Sequence, residues 1–162
     1  MPPTRVSMLR IYLNDHLTGA TAGAELLRRT AGTHRGGPLG PELEELAREV
    51  AEDRQELVEI MVRLGVPVRQ ARVTAGWVAE KAGRLKLNGG LLSRSPLSDV
   101  LELEVMRLGV QAKTACWRTL AVLADGEPRL DAGRLAELLD RAAAQARRLE
   151  ALSARAVSQV WG

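Results

Sequence analysis

Four polar side chains interrupt what otherwise read as the apolar stripes of long helices. His16 stands between Leu13 and Ala20, Asp53 between Val50 and Leu57, Glu104 between Leu101 and Leu108, and Gln145 between Ala142 and Leu149. Each occupies a core position at helical spacing, and Gln111 follows Glu104 one heptad later. A carboxylate in a core without a partner is costly, and histidine is a natural partner for it. Three readings fit. His16 and Asp53 form a satisfied pair that fixes register, or Asp53 or Glu104 lies at the seam edge and reaches water. In the third, His16, Asp53 and Glu104 hold a divalent metal or small ligand, with Gln145 assisting.

Little else in the chain is equipped for chemistry. The only other histidine, His34, lies in Thr33-His34-Arg35-Gly36-Gly37 and reads as a solvated loop residue. Those glycines match neither the phosphate-binding loop nor the dinucleotide fingerprint, and no strand precedes them. Cys116, the single cysteine, stands beside Trp117 without a metal-ligand partner in sequence and reads as a buried, inert thiol. No Ser-His-Asp or Cys-His order stands out. No catalytic residue is therefore nominated, and the reading leans away from an enzyme.

The basic residues form a second candidate surface. Residues 66–96 carry Arg69, Arg72, Lys81, Arg84, Lys86 and Arg94 against Glu80 alone, while the whole chain is only +3. Arg69, Arg72, Lys81, Arg84 and Lys86 could contact phosphates of nucleic acid or lipid head groups. The segment lacks aromatic interleaving and a recognition-helix signature, so a solvated helix face is preferred and nucleic acid is not the expected partner. Trp77 is different. A large aromatic among Ala75, Gly76, Ala79, Ala82 and Gly83 suits close packing, either on its own bundle or as the anchor of a homodimer interface.

The elements that must position these groups are helices. Ala, Leu, Arg and Glu dominate the composition, β-branched residues are sparse, and Phe is absent. Helical patterns run over about 6–31, 41–64, 98–123 and 131–160, within a single domain spanning 1–162. The core stripe of the third is assigned to Leu97, Leu101, Leu108, Ala112, Ala115 and Val122. Pro41 opens the second helix and Gly65 closes it. The loops after the first and third helices are short and make antiparallel hairpins. The crossover 66–96, with a short fifth helix in it, is long enough to return the chain along the whole bundle. No window reaches the roughly 20 apolar residues of a membrane span. A lone cysteine and no visible signal peptide suit the cytoplasm. The Arg-over-Lys, Ala- and Gly-rich usage suggests a high-GC bacterial source.

These helix lengths and the long crossover resemble the ferritin-like superfamily, and in particular small bacterial members that lack the di-iron motif. The resemblance covers nearly the whole chain and is architectural. It implies a four-helix bundle with one long crossover and, in active members, two Glu-x-x-His pairs and two further glutamates binding two metals. This chain has no Glu-x-x-His. Glu25, and Glu49 or Glu52, could stand for lone glutamates, but the two histidine ligands have no counterpart on the second and fourth helices. The expectation is a non-catalytic protein acting through self-association, as a homodimer, or through a protein partner. The alternatives are a metal or small-ligand carrier using the mid-bundle layer, or anion binding through the crossover. No cofactor is expected, and a divalent metal is the only one the layer admits.

Overall fold

A computed structural model of the chain describes residues 4–69 and 94–162. Those residues form four long helices and no strand: α1 (Arg5–Thr33), α2 (Gly40–Arg63), α3 (Pro96–Ala124) and α4 (Ala132–Trp161). The proposed crossover helix and Trp77 lie outside the described residues, as do Arg72, Lys81, Arg84 and Lys86.

Local chemistry sets the helix ends. The Thr4 hydroxyl accepts from Ser7 N at 3.2 Å and Asp131 from Arg134 N at 3.0 Å, each satisfying an otherwise orphan first-turn donor. Ser95 caps α3, and Pro96 occupies a first-turn position that needs no donor. Beyond α2, Gly65 takes φ +68°, a backbone conformation that penalises other residues. It lets Val66 N reach Met61 O at 2.9 Å and Gly65 N reach Val62 O at 3.0 Å, closing the last turn. The α1–α2 turn is tight enough that a Cβ on Gly40 would lie 2.5 Å from the His34 carbonyl oxygen.

Contacts fix the directions of the helices. Tyr12 bonds Thr119 at one end of the α1–α3 seam and Thr30 bonds Glu102 at the other, so α1 and α3 run antiparallel. Arg134–Glu56 and Arg148–Glu49 make α2 and α4 antiparallel in the same way. Consecutive helices α1–α2 and α3–α4 are hairpins, and α2 and α3 therefore point the same way. The chain leaves the lower end beside Asn14, whose side chain donates to Pro67 O at 3.1 Å and accepts from Arg69 N at 2.8 Å. It re-enters at the upper end, where Arg94 pairs with Asp99 and Glu102.

Without Phe, the core of the described residues is Leu-rich and filled by one large ring. Leu13, Leu17 and Leu27 meet Leu43, Leu46, Leu57 and Ile60, with Leu135, Leu138, Leu149 and Leu152 opposite. Trp117 is buried among them. Each such leucine contributes about 1.5–3 kcal/mol on burial. The stripe expected for α3 is a correction. Leu108 and Val122 are 64% and 74% exposed, and Ala112 and Ala115 are exposed as well. The face packed inward is Val100, Leu103, Met106, Val110, Trp117 and Leu120. α3 is apolar on two sides, and periodicity alone does not say which one the bundle uses.

Candidate functional site

The polar layer sits where α2, α3 and α4 converge. Asp53 on α2 is 2% exposed and Gln145 on α4 is fully buried. Lys113 reaches in from α3 and donates to Asp53 Oδ2 at 2.5 Å and to Gln145 Oε1. Arg141, on α4, donates to Asp53 Oδ1. The Gln145 amide donates to Asp53 Oδ2 and to Glu49 Oε2, both at 3.0 Å. Both oxygens of the buried carboxylate are thus occupied by cationic or amide donors. This is how a charge persists in a core.

Burial pushes the Lys113 ammonium below the usual lysine range, against the opposing pull of Asp53. For Glu49, burial would raise the carboxyl, but hydrogen bonds from Arg148 and Gln145 outweigh it and hold it below the usual range. The layer is one part of a longer ladder. Arg134, Arg141 and Arg148 recur every seven residues on α4, as Glu42, Glu49 and Glu56 do on α2. Arg134 pairs with Glu56 at 2.8 Å and Arg148 with Glu49 at 2.6 Å, and Arg148 also bonds Glu42. Arg141, between them, binds Asp53 and approaches Glu52 at 3.4 Å. Arg155 ends the series on the Pro38 carbonyl at 3.1 Å. Partner numbers fall along α2 as they rise along α4, as antiparallel helices require.

The nominated residues separate. Asp53 and Gln145 do meet in one layer. Glu104 is exposed, because it belongs to the outward face of α3. His16 is half-buried with its ring 4.5 Å from that of Tyr12, edge to face. Arg54, next to Asp53, donates to Thr21 at 2.8 Å. His16 is five residues before Thr21, an offset of roughly 7.5 Å along α1. Burial lowers the His16 pKa, with Asp15 opposing. Among the described residues no three His, Cys, Asp or Glu side chains converge as a metal site. Asp53 is instead neutralised by Lys113 and Arg141. Neither was anticipated, although the matching seven-residue spacing of arginines and glutamates was a readable signal for Arg141.

The remaining candidates are also placed. His34 is not in solvent: its Nε2 sits 3.0 Å from Asp99 Oδ1, with a side chain only 17% exposed. The Cys116 thiol is buried and pushed up to about 12 by that burial. Arg69 is exposed, and its backbone is tied to Asn14. An open hollow of about 550 Å³ lies at the far end, lined by Glu56, Arg63, Arg129 and Arg134 among others. Its arginines already bind Glu56, Glu127 and Glu137. No described helix is long and apolar enough to cross a membrane. Comparison with known proteins finds no matching family model, and no significantly similar curated protein or solved structure.

Proposed function

We propose that this chain is a non-catalytic bundle of ferritin-like topology that acts by associating with itself or with a protein partner. The reading rests on the state of Asp53. The one deeply buried carboxylate of the mid-bundle layer gives both oxygens to Lys113, Arg141 and Gln145. A divalent cation there would meet two positive side chains at close range and would have to displace them. The parallel run of α2 and α3, joined by one long connection, supports the topology. The single buried cysteine suits a reducing, cytoplasmic setting.

The test is elemental analysis of protein expressed in medium supplemented with iron, zinc and manganese. The expected result is no stoichiometric metal, in the wild type and in Asp53→Asn alike. One equivalent of metal that disappears in Asp53→Asn would overturn the reading and restore a carrier.

A further inference from the structure

The outward face of α3 is too apolar for a surface that meets only water. Val105 and Leu108 are 44% and 64% exposed, and Val122 is 74% exposed. These side chains follow a strict alternation of four- and three-residue steps. Leu101, Val105 and Leu108 form the first half, and Ala112, Ala115 and Thr119 the second, with Val122 beyond; Leu101 and Thr119 are half-buried at the margin, where the Thr119 hydroxyl accepts from Tyr12 of α1. That is a coiled-coil seam, in which Leu101, Leu108 and Ala115 take one core position and Val105, Ala112 and Thr119 the other. Glu104, Gln111 and Arg118 then share one flank, seven residues apart. All three are exposed, and neither Glu104 nor Arg118 has an ion-pair partner among the described residues.

We infer that this face is the homodimer interface, two copies of α3 packing antiparallel about a two-fold axis near Gly109–Gln111. The inference rests on the self-association reading above and gives it a surface. Two complementarities select the second copy and its direction. The first is size. Large side chains fill the seam from Leu101 to Leu108 and small ones from Ala112 to Thr119. Antiparallel packing sets Leu108 on Ala112, Val105 on Ala115 and Leu101 on Thr119, knob against hollow. The second is charge. In antiparallel pairs like flanks face each other, so Glu104 meets the other copy's Arg118, twice by symmetry. Gln111 meets Gln111, whose amide both donates and accepts. A parallel pair would stack Leu108 on Leu108 and Ala112 on Ala112. It would also leave Glu104 opposite Gly109, with Arg118 unmatched.

The experiment uses the full chain, with light scattering and sedimentation over a range of concentrations. The wild type is expected to be a concentration-dependent dimer. Leu108→Glu, at an exposed position, should give a monomer with unchanged helical circular dichroism. Glu104→Arg or Arg118→Glu alone should weaken the dimer by roughly tenfold, and the two together should restore it. Gln111→Cys should form an intermolecular disulfide readily and Leu101→Cys should not, with buried Cys116 left in place. A monomer at every concentration overturns the inference, whether residues 70–93 or a foreign protein is then found on the face. Preferential linking through Leu101→Cys overturns it too, since that is the parallel pair. A dimer that survives Leu108→Glu removes this interface while leaving self-association standing, and a bound metal would bear on that reading alone.

Discussion

Removing Lys113 and Asp53 singly and together tests whether the buried layer is one energetic unit. Lys113→Met deletes the ammonium that binds both Asp53 and Gln145. Breaking a buried pair from one side typically costs about 3–5 kcal/mol. Asp53 keeps Arg141 and the Gln145 amide, so the expected loss here is about 2–3 kcal/mol. Asp53→Leu leaves Lys113, only 12% exposed, with no carboxylate in contact and should cost the full 3–5 kcal/mol or about that. Arg141, 26% exposed, has room to turn toward water and Glu52. The double variant exchanges the ion pair for two apolar side chains, which is often near neutral. Its residual cost is about 1–3 kcal/mol, from Gln145 Oε1 left without a donor. The two singles should therefore exceed the double by at least about 2 kcal/mol. For a chain of this size each kcal/mol moves Tm by roughly 2–4 °C, so Lys113→Met alone should lower it by about 4–12 °C. Urea unfolding followed by circular dichroism supplies the cycle. Additivity to within about 0.5 kcal/mol would refute the reasoning, because it would mean that the two side chains do not depend on each other.

Two further outcomes follow from the same chemistry. Glu49 has a folded pKa below its ordinary value, so in the interval between the two the unfolded chain binds more protons. Stability should be present above about pH 4.5 and fall as pH drops through the lowered value, with a shallower fall in Glu49→Gln. Thermal melts from pH 3 to 7 measure this, and an identical slope in the variant would count against the ladder. Cys116 should resist a thiol reagent at pH 8 in native buffer and react fully in denaturant, since burial moves its pKa to about 12. Rapid native labelling would show that the α3 core face opens.

Much of the architecture was legible because helix ends announce themselves. Pro41 and Gly65 act through their own backbone needs, and the ends of the second helix read from them fall within one residue of those observed. On α4 the reading of Ala142, Gln145 and Leu149 as core positions was legible, and all three are buried together with Leu135, Leu138, Leu152 and Ala156. α3 offers two apolar sides. The more regular of them, with Glu104 and Gln111 beside it, faces out, and a buried layer containing Glu104 was read from the wrong side of the helix. His16 was misplaced for a different reason. An antiparallel hairpin sets its own axial stagger, and the Thr21–Arg54 contact that fixes it is not encoded in the spacing of leucines. The inward reach of Lys113 was not legible. A lysine reaching inward along its own aliphatic stem is invisible to a hydropathy pattern.

The arginine–glutamate ladder works like a vernier with identical teeth. Slide α4 along α2 by seven residues and Arg134 finds Glu49 while Arg148 finds Glu42, so two of three teeth still mesh. Surface pairs alone would tolerate that misthreading. Asp53 has no twin seven residues away on either side, where Leu46 and Ile60 stand. A slipped helix would carry Gln145 and Arg141 past Asp53, the buried acid they share, and would leave it without them. The lone carboxylate is thus a keyway: it adds little net energy, yet it forbids every setting of the scale but one.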